Sequence, residues 1–230
     1  MLPVPKMSKG TPLDLRAVYQ CLHTRYGPQH WWPGDTPFEV MVGAVLTQNT
    51  AWTNVERAIA NLVRARVLDP AQIAKMPVNR LAGLIRSAGY FNVKAKRLQN
   101  FCRWYSLHGG FKHLREFETA ELRRDLLAVN GIGPETADDI LLYAFQRAVF
   151  VIDAYTRRIF SRLKLIKGDE DYEALRRFFE RGLRRDARLF NEYHALIVRH
   201  GKDVCKSRPL CRECCLVEQC PSAQSQTAQR

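Results

Sequence analysis

Leu127-Ala-Val-Asn-Gly-Ile-Gly-Pro-Glu-Thr-Ala-Asp-Asp-Ile-Leu141 has the pattern of a helix, a tight turn and a second helix. Gly131 and Gly133 lack Cβ atoms, so successive backbone N–H groups of the turn can approach an anion closely. Pro134 suits the first position of the second helix, whose N-terminus adds the positive end of a helix dipole. The stretch therefore predicts a phosphate-binding turn. Glycines that only let two helices pack closely are the alternative, because Gly-x-Gly turns are common.

The rest of the chain has the same helical periodicity and predicts an all-α fold. Two segments carry apolar stripes at helical spacing: Val93, Leu98, Phe101, Cys102 and Tyr105; and Tyr172, Leu175, Phe178, Phe179 and Leu183. Further helices are expected to begin near nine positions: Leu13, Pro37, Ala51, Pro70, Val78, Glu118, Pro134, Asp153 and Ala187. Residues 148–152 (AVFVI) have the composition of a short buried strand, but no partner strand is evident.

The charge balance favours a polyanionic partner. The 230 residues include 36 Lys and Arg against 23 Asp and Glu, a formal net charge of +13. Between Ala154 and Arg212 there are sixteen basic and eight acidic side chains. A field of this sign concentrates nucleic acid, the commonest polyanion of a cytoplasm; a charge that serves only solubility is the alternative. No apolar run is long enough to span a bilayer, so a cytoplasmic protein that does not bind a membrane is expected.

Four cysteines near the C-terminus have the spacing C-x5-C-x2-C-x5-C: Cys205, Cys211, Cys214 and Cys220. Thiolates this close in sequence can bind one zinc ion or one iron–sulfur cluster. Pro221, directly after the last cysteine, is typical of cluster-binding runs and favours iron–sulfur. Cys215 can replace Cys214 in the set, and the spacing is also compatible with a disulfide pair or with buried thiols that bind no metal. Cys21 and Cys102 lie in apolar helical patterns and are predicted to be core residues.

Asp153 stands directly before the predicted helix that begins Ala154-Tyr-Thr-Arg-Arg-Ile-Phe160, twenty residues after Gly133. An aspartate in this place is more often an N-cap than a catalyst. Along the chain the Gly-Ile-Gly turn is followed by Val151-Ile-Asp153 and then by the cysteines.

These motifs together resemble the helix-hairpin-helix DNA glycosylases of the endonuclease III superfamily, over about residues 13–220. Further matches are Gly43-Ala-Val-Leu-Thr-Gln-Asn-Thr50, Gly89-Tyr-Phe-Asn-Val-Lys-Ala95 and His200-Gly201. The first gap between cysteines has five residues. That gap is one residue shorter than is usual in the family.

The resemblance implies two α-helical lobes with DNA gripped across the cleft between them. One lobe is expected to be a six-helix barrel over residues 34–147 that ends in the hairpin. The second lobe is expected to combine residues 11–33 with 148–222 and to carry a [4Fe–4S] cluster, with zinc as the alternative. Residues 1–10 and 223–230 are expected to be mobile ends.

The residue two positions after the second hairpin glycine determines the expected chemistry. Bifunctional members of the family carry a lysine there, whose amine attacks the sugar C1′ and leads to strand cleavage through a Schiff base. This chain has Glu135, and a carboxylate cannot form that imine. The resemblance therefore implies a monofunctional glycosylase. A solvated Glu135, favoured in the first turn by the helix dipole, is a second interpretation of this residue.

Tryptophans indicate which kind of base is removed. Trp31, Trp32 and Pro33 precede the expected barrel, and Trp52 follows Gln48-Asn-Thr50. With Gly-Ile-Gly-x-Glu-Thr-Ala-Asp, these motifs resemble a subgroup that excises 3-methyladenine. A flipped cationic base gains from flat π faces, and an N-alkylated purine is already a good leaving group. Core packing is the alternative for each tryptophan.

We therefore expect a monomeric, cytoplasmic, nucleoid-associated glycosylase acting on double-stranded DNA that contains damaged, alkylated bases. Asp153 is expected to stabilise the sugar cation and to orient or deprotonate water, and Gln48 to fill the gap left by the flipped nucleotide. Phosphates are expected to contact five residues: Gly131, Gly133, Lys202, Lys206 and Arg208. An endonuclease III-like lyase that acts on oxidised pyrimidines is the first alternative. A non-catalytic DNA-binding zinc protein is the second.

Overall fold

The structure is a computed structural model that describes residues 13–31 and 34–227, with side chains described as far as Gln224. Within these residues every regular element is helical, which confirms the all-α prediction. No helix in this part of the chain is long and apolar enough to cross a membrane. Residues 1–10 and 228–230 of the predicted mobile ends fall outside the described residues, and residues 223–227 form part of a helix.

The chain divides into two compact units. The middle unit is Trp32–Arg147, and the terminal unit joins the residues up to Trp31 with Ala148–Arg230. The terminal unit has the α-helices α1 (Leu15–Tyr26), α10 (Ala154–Arg162), α11 (Tyr172–Gly182), α12 (Ala187–Asp203) and α13 (Pro221–Thr227). The middle unit has α2 (Pro37–Leu46), α3 (Trp52–Arg64), α4 (Pro70–Lys75), α5 (Val78–Leu84), α6 (Phe91–Leu107), α7 (Gly110–Leu114), α8 (Thr119–Ala128) and α9 (Pro134–Asp139).

Helix α2 forms the centre of the middle unit. Thr36 caps it by accepting a hydrogen bond from the N–H of Glu39 at 3.1 Å, and Pro37 suits the first helical position. Every residue of the range 40–46 is buried, and α2 packs against α3, α6 and α9. Because its sequence is apolar on all sides, this helix is stable only when other helices surround it.

An aromatic cluster forms the core of the terminal unit. The rings of Phe150 and Phe179 stack with centroids 4.4 Å apart, and Phe190 and Tyr193 of α12 approach Phe150 at steep angles. Phe160 of α10 packs edge-on against Phe179. All five rings are fully buried, and burial of each contributes about 1.5–3 kcal/mol to stability. The cluster therefore holds α10, α11 and α12 together.

Residues 149–152 are buried, and residues 148–152 form no strand, as expected for a segment without a partner strand. The N–H of Phe150 donates to Glu180 Oε1 at 3.2 Å, and the N–H of Ile152 donates to Tyr172 Oη at 3.3 Å. Side chains of α11 thus accept the hydrogen bonds that a partner strand would otherwise accept.

Two residues of the predicted apolar stripes face the solvent. Val93 is 50% exposed and Phe178 is 40% exposed. In each case the next residue, Lys94 or Phe179, is buried. Val93 and Phe178 therefore lie outside the buried faces of their helices.

Candidate active site and nucleic-acid interface

Asp153 is the N-cap of α10. Its Oδ1 accepts two hydrogen bonds from Thr156, one from the backbone N–H and one from the hydroxyl, each 2.7 Å long. The residue is buried, with 9% of its surface exposed. Because both bonds from Thr156 end on Oδ1, the carboxylate is held in one orientation, with Oδ2 near His194.

The carboxyl group of Asp153 is held in its ionised form. Burial raises its pKa, but hydrogen bonding and charge interaction with His194, together with the two bonds from Thr156, outweigh burial and leave the pKa below its usual value. Asp153 therefore carries a negative charge at neutral pH and loses it only in acid.

His194 of α12 is the partner of Asp153 that the sequence did not reveal. Its Nε2 lies 3.6 Å from Asp153 Oδ2, and the side chain is buried. The ring of Trp31 stacks on His194 with centroids 5.9 Å apart and planes 23° apart. The structure thus brings the predicted pocket residue Trp31 next to the partner of the predicted catalytic residue. Trp32 and Pro33 lie outside the described residues.

The predicted hairpin is formed by α8, the turn at residues 129–133 and α9. Gly131 has φ +100°, and a Cβ there would lie 2.3 Å from Cγ of Arg97. Gly133 has φ −92° and nothing within 4 Å of its Cβ position. Glycine is therefore required at 131 by the fold itself. At 133 the fold makes no such demand, and the open space leaves room for a ligand to approach the backbone.

Gln48 ties the turn after α2 to the hairpin. Its Nε2 donates to Gly131 O at 3.0 Å and to Thr136 Oγ1 at 2.9 Å, and its Oε1 accepts a short hydrogen bond from Arg97. If Gln48 fills the gap left by a flipped nucleotide, its side chain must exchange these three hydrogen bonds for contacts with DNA.

A buried ion pair fixes the two hairpin helices to each other. Arg123 of α8 donates to both carboxylate oxygens of Asp138 in α9, at 2.6 and 3.1 Å. Since Asp138 is fully buried, loss of Arg123 would leave a buried charge without its partner, which is strongly destabilising.

The two hairpin glycines are expected to respond differently to alanine. Gly131→Ala should destabilise the protein by at least about 1–2 kcal/mol, because the side chain is strained at positive φ and meets Arg97. Gly133→Ala should leave the midpoint of thermal unfolding almost unchanged but weaken duplex binding, because its methyl group occupies the space in front of the backbone. Thermal unfolding and binding titrations of both variants check this. Equal duplex affinity of Gly133→Ala and the wild type would exclude a phosphate at this turn.

No lysine lies on the first turn of α9, where Glu135 is exposed to solvent. The middle unit does contain a buried lysine, Lys94, whose Nζ donates to Leu46 O at 2.9 Å and to Ala88 O at 2.7 Å. Burial, with a smaller effect of Arg97, lowers the pKa of Lys94 to about 8. In this structure Lys94 links the end of α2 to the turn before α6.

Tyr90 lies in that turn and is an exposed aromatic residue that the sequence motifs did not single out. It is 69% exposed and has φ 45°, a left-handed conformation that is uncommon outside glycine. The bonds of Lys94 to Ala88 and Leu46 hold the turn of Tyr90 close to the end of α2, two residues before Gln48.

Trp52 begins α3 and is partly buried. Its six-membered ring lies over Gly43 of α2, where a Cβ would come within 3.0 Å of the indole. At least one face of this tryptophan therefore packs inside the middle unit. The close approach of the indole explains why residue 43 is a glycine.

The four predicted cysteine ligands, Cys205, Cys211, Cys214 and Cys220, line one common cavity in the terminal unit. No group of three or more His, Cys, Asp or Glu side chains in the described part of the chain is arranged to hold a single metal ion. Four cysteine thiols that line one cavity are a donor set that suits either an iron–sulfur cluster or zinc.

Cys215 is not part of this set. It is buried, and its hydrogen bond with Cys21, followed by burial, raises the pKa of its thiol. The neighbouring Cys214 faces the cavity instead. The prediction that Cys21 and Cys102 are core residues is confirmed.

Two basic side chains contact the cysteine thiols. Arg162 Nη1 donates to Cys205 Sγ at 3.2 Å, and Nε2 of His200 lies 3.6 Å from Cys214 Sγ. Burial raises the pKa of the Cys214 thiol to about 12, and metal binding would favour its deprotonated form.

The basic residues expected to contact DNA are exposed. Lys202 lies in the last turn of α12, and Lys206 and Arg208 lie in the loop between the first two cysteines. Arg162 donates to the carbonyl oxygens of Lys206 at 2.6 Å and Ser207 at 2.9 Å. The loop backbone is therefore held while these charged side chains remain in solvent.

Comparison with known proteins assigns the chain to a family. A family of proteins described as HhH-GPD superfamily base excision DNA repair proteins matches residues 42–185, a range that includes the hairpin and Asp153. The chain belongs to the HhH-GPD superfamily. This HhH-GPD protein is therefore a DNA repair glycosylase with the helix-hairpin-helix glycosylase fold.

Three relatives show the range of proteins that this HhH-GPD protein is similar to. A Methanocaldococcus jannaschii protein, named provisionally as a DNA repair glycosylase, is 46% identical over 89% of this chain and 94% of its own. Endonuclease III of Sulfolobus acidocaldarius is 30% identical over 80% of this chain and 81% of its own length. The structure of H. pylori 3-methyladenine DNA glycosylase, MagIII, bound to 1,N6-ethenoadenine has a TM-score of 0.72 at 32% identity and covers 83% of this chain and 98% of that one.

Proposed function

We propose that the protein is a monofunctional DNA glycosylase that hydrolyses the N-glycosidic bond of an alkylated base of the 3-methyladenine type in double-stranded DNA. The observation that carries the proposal is the arrangement of Asp153: the carboxylate is ionised, held through Oδ1, and lies beside a histidine that stacks on Trp31. The hairpin helix carries Glu135 in place of a nucleophilic lysine.

Asp153 acts on the sugar. As the bond to the base breaks, positive charge develops on the sugar ring, and a fixed carboxylate stabilises that charge more than it stabilises the neutral ground state. Oδ2 also orients water for attack at C1′ and takes up its proton. Thr156 and His194 keep the carboxylate ionised for this purpose.

The base class follows from the aromatic residues and from the leaving group. Trp31 contributes a flat π face, and we include Trp32, Pro33 and Trp52 in the pocket that receives the flipped base. Such faces favour a cationic purine, and an N-alkylated purine leaves readily without an acid or an amine. The similarity to MagIII, at 32% identity, supports the same class of substrate.

Contacts with the DNA backbone come from both units. In the middle unit, the backbone at Gly131 and Gly133 binds one phosphate, and exposed Tyr90 is placed to press between neighbouring bases. In the terminal unit, Lys202, Lys206 and Arg208 bind phosphates. A monomer in the cytoplasm, close to the nucleoid, is part of the same proposal and is supported by the net charge of +13.

Cys205, Cys211, Cys214 and Cys220 would hold a [4Fe–4S] cluster. When bound, the cluster cross-links the loop that carries Lys206 and Arg208 to the end of α12. Arg162 also fixes this loop, because it donates hydrogen bonds to Cys205 Sγ and to the loop carbonyl groups.

An endonuclease III-like lyase is the alternative, and one observation favours it. Lys94 has a pKa of about 8, so a fraction of its amine is neutral and nucleophilic near pH 7. Against this, the amine is buried and donates to two backbone carbonyl groups. Membership of the glycosylase superfamily argues against the non-catalytic zinc protein.

A lesion panel tests the proposed reaction. Incubation with duplexes that contain 3-methyladenine or thymine glycol should release 3-methyladenine as free base and leave an intact abasic strand. Borohydride should trap no covalent adduct, because position 135, where lyases of the family carry a lysine, is Glu135. Release of thymine glycol alone would show that the tryptophans are packing residues. An adduct that is lost in Lys94→Gln or in Lys202→Gln would identify the lysine of a lyase.

A further inference from the structure

His194 is the buried group that connects the two parts of the proposed active site in the terminal unit. Its Nε2 lies 3.6 Å from Oδ2 of Asp153, and its ring stacks on Trp31 with planes 23° apart. Oδ1 of Asp153 is already occupied by two bonds from Thr156. His194 therefore lies beside the other carboxylate oxygen, Oδ2.

We infer that His194 is a positioning residue for base release: its imidazole, with Nε2 3.6 Å from Oδ2, interacts electrostatically with the Asp153 carboxylate, and its ring packs on the indole of Trp31, so that the carboxylate and the base-binding face keep one fixed arrangement. The inference rests on the proposed function, because it assigns Asp153 and Trp31 to the reaction.

The surroundings of Asp153 leave this role to His194. Among the described residues, α12 presents His194 and α10 presents the uncharged Thr156. From α11, the phenol of Tyr172 accepts a bond from the N–H of Ile152. Loss of His194 would leave burial opposed by the bonds from Thr156 alone, so the pKa of Asp153 would rise.

Two substitutions separate the contacts that His194 makes. His194→Phe keeps a ring against Trp31 and removes the N–H, whereas His194→Gln keeps an N–H that reaches Oδ2 and removes the ring. We expect His194→Phe to lower kcat at neutral pH about 10- to 100-fold, the effect of losing one polar interaction with a charged group, with little change in KM. His194→Gln should keep kcat within a few-fold of the wild type and raise KM, because Trp31 loses its neighbour.

The pH profile gives a readout that a general packing role would not change. Removal of the N–H raises the pKa of Asp153, and the reaction needs the ionised carboxylate. The acid limb of the kcat profile should therefore move to higher pH in His194→Phe and stay near its wild-type position in His194→Gln. If both variants lose kcat by one common factor with an unmoved acid limb, the inference is wrong.

A measurement without turnover separates this inference from the proposed function. The carboxyl ¹³C signal of Asp153, followed by NMR against pH, should report a higher pKa in His194→Phe and an almost unchanged pKa in His194→Gln. This result is expected whether or not a base is released. An unchanged pKa in His194→Phe would overturn the role of His194 and leave the glycosylase proposal untouched, whereas failure of the wild type on every lesion would overturn the glycosylase proposal instead.

Discussion

Replacement of Asp153 by Asn is expected to lower the rate of base release by about three orders of magnitude or more, while binding to duplex DNA stays the same or tightens. The neutral amide has almost the same shape and can still cap α10, but it no longer opposes the positive charge that develops on the sugar. The loss therefore belongs to the transition state alone. Single-turnover base release and binding to the same duplex measure the two quantities.

Asp14→Asn is the matched control for this prediction. Asp14 caps α1 in the same way that Asp153 caps α10, with its Oδ1 accepting a bond from the N–H three residues later at 2.8 Å. Both variants should keep their thermal stability, and only Asp153→Asn should lose activity. Turnover of Asp153→Asn close to that of the wild type would show that Asp153 is a helix cap and nothing more.

Cys211→Ser and Cys214→Ser are each expected to lose the bound cluster and much of the soluble protein. Wild-type protein purified under anaerobic conditions should be brown, with about four irons per chain and little zinc. A serine hydroxyl is a poor ligand for iron, and the buried cavity that the thiols line loses the group that ties its walls together. Iron and zinc analysis with the visible absorption spectrum measures the effect.

Cys215→Ser is the internal control for the cysteine prediction. The residue is adjacent to Cys214 in sequence but faces Cys21, outside the cavity that the four predicted ligands line. It should keep its iron and its colour. A colourless anaerobic wild-type preparation that holds one zinc would end the iron–sulfur assignment.

Local features of the site were predictable because they depend on residues close together in sequence. An N-cap aspartate accepts a hydrogen bond from the backbone N–H three residues later, which is a local contact. Asp153 caps α10 in this way. The glycine at 131 was predictable for the same reason, since its positive φ is a property of the turn. The helical stripes of α6 and α11 were also predicted, although Val93 and Phe178 are exposed.

The partners of these residues could not be predicted in this way. His194 and Asp153 are 41 residues apart in sequence, and Gln48 and Gly131 are 83 residues apart. Periodicity shows that a helix has a buried face, but it does not show which neighbour meets each side chain on that face. His194 and Lys94 are polar residues on buried faces, and the sequence offers no sign of which groups satisfy them.

The sequence by itself determined the helices, the hairpin turn, the absence of a lysine at position 135 and the spacing of the cysteines, because each is a matter of local backbone preference or residue identity. Only the tertiary structure decided that Cys214 and not Cys215 lines the cavity, that Trp52 packs on Gly43 and that His194 contacts both Asp153 and Trp31. These outcomes depend on how whole helices pack, and packing is set by the combined fit of many distant side chains.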